Sequence, residues 1–293
     1  MTACTTRKPG SMSTLTELVF GILEQANTTI TTIMEQHASS IHHWCPLISE
    51  EMLRCGRDGA FEDALPKSLL SHILILCIFL LTRRTCQHRE HVTTGVLYAT
   101  MKQAIALLRA AGDASLDLFR AEMLLVVYEY AHGMAKQAHV TLSSCVALLA
   151  LIELDMRAAG NEVRDEVLLA PLRANVIMLD RMIPLATLSM SLPLAVPSKY
   201  PLSQSVASRL GARIPPPSLA LPATSPRQVH IRTMIALFCG RVLEYIHDLH
   251  NRNDSNETYD EIDAAGASLI KTLLKKPQPY TWLHCEAIAM AFW

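Results

Sequence analysis

The chain has 293 residues, of which 50% are hydrophobic, 18% are charged and 5% are aromatic. A chain this long and this apolar buries a large core, which excludes extensive disorder. Its formal net charge of -1 excludes nucleic-acid binding over the whole surface, because phosphates require a basic excess. The scarcity of aromatic residues beside abundant Leu, Ala, Ile and Met favours an all-α fold over a β-sandwich.

The first 12 residues are predicted to form a flexible tail, and residues 13–293 a single all-α domain of nine to eleven helices. Apolar side chains recur every three or four positions over 14–40 and include His37, which predicts one amphipathic helix or two short ones. Ser49 is the expected N-cap of a short helix. The apolar stretch 66–82 is shorter than the roughly 20 residues of a membrane span, so we expect a fully buried helix.

The middle of the chain predicts a series of antiparallel helix pairs. A helix over 91–113 is expected to end near Gly112, and Ser115 to cap the next helix. Two helices are then expected to meet at Gly133, because glycine permits the conformation that a tight turn requires. The predicted inward-facing residues of the first of these helices are Leu124, Leu125, Tyr128 and Ala131 or His132.

The C-terminal half begins with a predicted helix over 163–188, which Pro184 should kink or end. The stretch 189–228 holds more than half of the chain's 15 prolines, and this composition predicts one long Pro-rich loop crossing the surface. Further helices are predicted at about 234–249, 261–276 and 281–293 from their apolar periodicity.

Eight cysteines are present, and no two have C-x-x-C spacing. Several lie in apolar runs, as Cys77 and Cys239 do, which predicts buried free thiols and a reducing, intracellular compartment. No P-loop, dinucleotide-binding or nucleophile-elbow motif is present. The sequence therefore identifies no catalytic residue and no cofactor.

Histidine-rich clusters are candidates for a metal site. None has the four paired ligands of a zinc site, and we interpret two of them, Cys86 with His88 and His91 and His247 with His250, as solvated polar residues. The clusters are Cys86, His88 and His91; His247 and His250; and His42, His43 and Cys45.

Two Glu-x-x-His pairs provide a second possibility, because di-iron proteins use this motif on two helices. The pairs are Glu129 with His132 and Glu244 with His247, and Glu122 lies two turns before Glu129. The remaining bridging carboxylates are not evident. We therefore predict no metal, and we interpret Glu129 and His132 as turn and surface polar groups.

The adjacent charges of Asp180 and Arg181 lie within an otherwise apolar helix. An uncompensated buried charge is costly, so the two side chains require partners. They are interpreted either as a polar contact that fixes the helix or as the wall of a ligand pocket.

The order of these segments resembles the regulatory, or middle-homology, domain of fungal zinc-cluster transcription factors. The resemblance covers the chain from about residue 14. Its motifs are "IHHWCPLISEEMLR", the Tyr–Glu and His–Gly helix pair in "LLVVYEYAHGMAKQAHV", the Leu–Asp–Arg helix "VIMLDRMIPLA", and the later "FCGRVLEYIHDLH" and "WLHCEAIAMAFW". The six-cysteine DNA-binding cluster with which that family usually begins is missing from this sequence.

The resemblance implies a nuclear or cytoplasmic regulator that controls transcription, for example of a metabolic gene cluster. It would act through protein partners of the transcription machinery, a DNA-binding factor or an apolar small molecule, with no direct contact to nucleic acid or membrane. Two alternatives stay open. One is a pathway enzyme of the cyclase or isomerase type on the same scaffold, and the other is a truncated fragment of a larger factor.

Overall fold

A computed structural model describes residues 14–42, 44–57, 69–83, 91–160, 162–186, 192–210, 226–253 and 257–274. Within these residues the chain forms eleven α-helices and no strand, which confirms the predicted all-α class. The helices are α1 (Thr14–Gln25), α2 (Ile30–Ser40), α3 (Glu50–Arg57), α4 (Leu69–Thr82), α5 (His91–Ala110), α6 (Leu116–Ala131), α7 (Ala135–Ala158), α8 (Glu162–Ala186), α9 (Pro201–Leu210), α10 (Pro226–Asn251) and α11 (Tyr259–Leu274).

The predicted amphipathic stretch 14–40 divides into α1 and α2. Asn27 adopts a positive φ of 50°, and Thr29 caps α2 by accepting a hydrogen bond from the backbone N–H of Thr32. His37 is fully buried among the apolar side chains of α2, as its position in the pattern predicted. Ser49 caps α3 by accepting from the Met52 N–H at 3.2 Å, which confirms that prediction as well.

Helix α4 is the centre of the N-terminal half. Every residue from Ser71 to Leu80 is buried, because α1, α2, α5 and α6 all pack against this helix. A helix enclosed on every side has no polar face, which explains its unbroken apolar sequence. The predicted buried helix is thereby confirmed over Leu69–Thr82, while its first three positions lie outside the described residues.

Helices α6 and α7 form an antiparallel pair joined by a short turn. Ser115 caps α6 by accepting from the Leu118 N–H, and Gly133 makes the turn with a φ of +71°. The predicted inward positions of α6 are buried, except that Ala131 is exposed and His132 is half-buried. Burial also extends over all of 121–129, since α4, α5, α7 and α8 enclose α6.

The C-terminal half is built around α8, which packs against α7, α9 and α10. Helix α8 ends two residues after Pro184, in agreement with the predicted effect of that proline. The predicted Pro-rich loop over 189–228 is interrupted by α9, and α10 begins before its end. Pro201 takes the first position of α9, where its missing N–H costs nothing, and buried Leu202 and Val206 lie one turn apart.

Most of the buried apolar side chains join one core cluster that extends from α1 to α10. Cys45, Cys77 and Cys145 are buried free thiols, as predicted, whereas Cys239, which was predicted to be buried, is only half-buried. Helix α7 has the length and hydropathy of a membrane span, with 24 residues and a mean hydropathy of 1.5 in its most apolar window. Core helices share these properties, and one side of α7 packs against α6 and α8. The predicted tail and the predicted helix at 281–293 lie outside the described residues.

Candidate functional site

A cleft of about 590 Å³ lies between the 192–199 segment and α10, and we call it the loop cleft. Its volume is within the range of small-molecule pockets. Its apolar lining residues are Pro184, Leu192, Pro193, Leu194, Pro197 and Leu243. Its polar lining residues are Ser198, Lys199, Arg241, Glu244, Tyr245, His247, Asp248 and Glu257.

Asp180 holds the loop in place from within α8. Its carboxylate accepts hydrogen bonds from the Ala195 N–H at 2.8 Å and from the Val196 N–H at 3.0 Å. A buried backbone N–H without an acceptor is costly, and Val196 is fully buried. The Asp180 carboxylate supplies the acceptor for both N–H groups. Burial raises the pKa of the Asp180 carboxyl, while Arg181 and the two backbone donors act in the opposite direction.

Arg181 forms an ion pair with Asp180 and is 1% exposed. Its side chain lies against Gly240 of α10, where a Cβ atom would come within 3 Å of two guanidinium nitrogens. Glycine at position 240 therefore permits this close approach. Burial lowers the pKa of Arg181, and the charges of Asp180 and Glu244 oppose that shift.

Glu244 and Glu257 hold the α10 side of the cleft. Glu244 accepts a hydrogen bond from the Ser198 N–H at 2.7 Å, so a second carboxylate fixes the same loop. Glu257 accepts hydrogen bonds from Arg241 Nε at both carboxylate oxygens, at 3.0 Å for Oε1 and 2.9 Å for Oε2. Carboxylates on α8 and α10 thus take up three backbone N–H groups of the loop.

Asp180 and Arg181 were interpreted either as a polar contact that fixes the helix or as the wall of a ligand pocket. Neither side chain is among those that line the loop cleft. Asp180 binds the backbone that forms the wall, and Arg181 fills the space between Asp180 and α10. Both residues therefore position the cleft from behind, and direct contact with a ligand stays a prediction.

A second group of charged residues lies between α5, α6 and α7. Glu129 is fully buried, so its interpretation as a surface polar group is wrong. Its Oε1 accepts a hydrogen bond from the Tyr98 hydroxyl at 2.6 Å and another from Lys102 Nζ at 2.9 Å. Lys102 also donates to Thr141 Oγ1 on α7 at 2.6 Å. Sequence periodicity missed Glu129 because α5 covers a face that an isolated hairpin would leave open.

Glu122, two turns before Glu129 on α6, forms a similar ion pair with α5. Arg109 Nε lies 3.3 Å from Glu122 Oε1, and Cys145 Sγ donates to Glu122 Oε2 at 3.5 Å. Burial raises the pKa of Glu122 despite the charge of Arg109. Lys102 and Arg109 are seven residues apart, as Glu122 and Glu129 are, so the two pairs align antiparallel helices. We call these two ion pairs the charge ladder.

His132 lies at the end of α6 and is half-buried. Its Nδ1 lies 2.8 Å from the Tyr128 carbonyl oxygen, and its ring centroid lies 3.9 Å from that of Tyr128. Tyr128 in turn stacks on Tyr98, whose hydroxyl donates to Glu129. His132 therefore closes the helix end as a turn residue, in agreement with its predicted position at the turn.

Comparison with known proteins finds a relative that is named as a transcription factor. The chain is 30% identical over 165 residues to transcription factor BOA15 of Botryotinia fuckeliana (strain B05.10), which is 55% of this chain and 87% of that protein. This chain belongs to the family of transcription factor BOA15. No family model matches it, and no solved structure matches it. Membership in the BOA15 family supports a transcription-regulator-like role.

The structure describes several of the residues that the sequence offered as metal ligands. Among the described residues, no three His, Cys, Asp or Glu side chains lie close enough together to hold a metal ion. Glu129 is instead bound by Lys102 and Tyr98, and Glu244 by the loop backbone. Cys86, His88 and His43 lie outside the described residues.

Proposed function

We propose that this chain is a regulatory domain of the middle-homology type that controls transcription through a bound partner or small molecule. The observation that carries the proposal is the relationship to a transcription factor over 87% of that protein's length. A nuclear site of action and control of a metabolic gene cluster are part of the proposal. They rest on this relationship and on the motif order of the sequence.

The proposal assigns base recognition to another protein. A net charge of -1 provides no general attraction for phosphates, so the proposal assigns recruitment of this chain to a promoter to a DNA-bound partner. A ligand that binds one arrangement of the helices better than another would shift the population toward that arrangement. The loop cleft between the 192–199 segment and α10 is the place where such a ligand would act, because a molecule bound there contacts both the loop and the helix.

A tethering assay tests the regulatory role. The full chain is fused to a heterologous DNA-binding domain in a fungal host that carries a reporter with the matching operator. We expect reporter expression to change several-fold relative to the DNA-binding domain alone. The exposed substitution Asp263→Ala on α11 serves as the matched control and should leave this change intact. A fusion protein that is nuclear and abundant but does not alter expression would contradict the proposal.

Two further measurements test its details. Deletion of the gene followed by transcript sequencing should reduce the expression of a contiguous set of genes. Selection of bound sequences from random DNA with the purified chain should yield no enriched motif. Scattered transcript changes would remove the gene-cluster part, and an enriched motif would show that the chain reads bases itself.

A further inference from the structure

The loop cleft has two chemically different sides. The loop presents Leu192, Pro193, Leu194 and Pro197, and these side chains offer an apolar wall with few rotatable bonds. Helix α10 presents polar side chains, among them Glu244 and Asp248. A molecule that fits both sides needs an apolar body and a polar group at one end.

The side chains that line the loop cleft carry more negative than positive charges. Three carboxylates and two cations line the cleft, so its net charge is negative. Arg241 is already held by Glu257 at 2.9 Å, and Lys199 is exposed to solvent. Glu244 faces the buried charge of Arg181 and accepts from the loop backbone. Asp248 is the carboxylate whose side chain receives no hydrogen bond or ion pair from the described residues.

The position of Asp248 adds to this negative character. It lies in the last turn of α10, which ends at Asn251, and helix C-termini carry partial negative charge. Its side chain is half-buried, so an ion pair formed there would be screened less than one on an open surface. A cation bound beside Asp248 would therefore meet both a carboxylate and the end of a helix dipole.

We propose that the loop cleft binds a small apolar molecule that carries a protonated amine, with the amine at Asp248 and the apolar body against the 192–197 wall. This inference deepens the proposed function, on which it rests, by naming the ligand class. The volume of about 590 Å³ accommodates a drug-sized molecule. The loop is already fixed by Asp180 and Glu244, so the wall is largely pre-formed and little ordering cost is added on binding.

The test uses three probes with one skeleton: 4-phenylbutylamine, 4-phenylbutanol and 4-phenylbutanoate. Binding to the purified full chain is measured by ligand-observed NMR at neutral pH and low salt. We expect the amine to bind about tenfold more tightly than the carboxylate, with the alcohol between them. Equal affinities, or a preference for the carboxylate, would overturn the proposal.

Variants locate the binding site. Asp248→Asn should remove the preference for the amine and leave the alcohol's affinity unchanged, whereas the exposed substitution Asp263→Asn should change neither. Leu194→Trp, which fills the apolar side, should weaken all three probes. Circular dichroism establishes that each variant is folded. An amine preference that survives Asp248→Asn places the cation elsewhere and refutes the assignment.

The outcomes separate this inference from the proposed function. If the tethered chain changes reporter expression while none of the probes binds, the ligand class is wrong and the regulatory role stands. If the amine binds with the expected dependence on Asp248 while the tethered chain has no effect on the reporter, the site is real and the regulatory role is wrong.

Discussion

The two buried clusters of charge use ion pairs for different purposes. In the charge ladder, each pair joins two helices, and the cations Lys102 and Arg109 are more than a third exposed. At Asp180 the ion pair joins adjacent residues of one helix, both are buried, and the carboxylate binds the backbone of a loop. The first arrangement holds helices side by side, whereas the second holds an irregular segment that has no helix of its own.

The difference matters energetically because water can reach the cation of each pair in the charge ladder but neither member of the Asp180–Arg181 pair. A half-exposed lysine that loses its partner turns toward solvent at little cost. A buried arginine that loses its partner stays desolvated, and breaking such a pair costs several kcal/mol. We therefore expect substitutions at Asp180 to destabilise the protein more than substitutions in the charge ladder.

Asp180→Ala should have the largest effect. It leaves Arg181 buried without its carboxylate and removes the acceptor of the Ala195 and Val196 N–H groups, at an expected cost of about 3–5 kcal/mol. Urea denaturation measures this change, with the exposed Asp263→Ala as a control that should shift stability by less than about 0.5 kcal/mol. A loss below about 1 kcal/mol for Asp180→Ala would show that the loop does not depend on this carboxylate.

Glu129→Ala should have the second largest effect. Tyr98 and Lys102 lose their acceptor, and a cavity forms at a fully buried position, so we expect a loss of about 2–3 kcal/mol. Lys102→Met, which keeps the aliphatic part of the side chain, should cost about as much, because it leaves a fully buried carboxylate without its cation and with the Tyr98 hydroxyl as its donor. A cost below about 0.5 kcal/mol for Lys102→Met would refute the view that burial of the carboxylate determines the strength of this contact.

Gly133→Val tests the turn that joins α6, which carries Glu129, to α7, which carries Thr141. No atom lies within 4 Å of the position a Cβ would take, so the cost comes from the φ of +71° alone and should be about 1–2 kcal/mol. Gly133→Asn is the matched control, since asparagine tolerates this conformation and should lose less. Thermal unfolding measures both variants, and an unchanged melting temperature for Gly133→Val would contradict this role of the glycine.

Glu122→Gln should have the smallest effect and should act mainly through pH. Because burial raises the pKa of Glu122 above its ordinary value of 4.5, the folded state binds a proton more readily than the unfolded state. Stability from this group is therefore greatest below pH 4.5 and declines as pH rises through the folded pKa. The Gln variant lacks this decline and should differ from the parent by less than about 1 kcal/mol near neutrality. Parallel pH curves for the two proteins would remove Glu122 as a source of pH dependence.

Sequence reasoning identified the local features of the fold because they depend on neighbouring residues. Ser49 and Ser115 cap helices by accepting from backbone N–H groups three residues away. Gly133 adopts a positive φ because it has no Cβ atom. The sequence also singled out Asp180 and Arg181, since two charges in an apolar helix require partners. It did not identify those partners, because the Ala195 and Val196 N–H groups come from a loop that no periodicity describes.

The sequence by itself determined the all-α class, the fully buried α4 and the turn between α6 and α7, because each follows from composition or local backbone chemistry. Only the tertiary structure decided that Glu122 and Glu129 face Arg109 and Lys102. Equal spacing of seven residues occurs in both helices, but spacing does not determine which helices become neighbours. The cleft beside α10 was decided in the same way, since it exists only where carboxylates of α8 and α10 hold one loop between them.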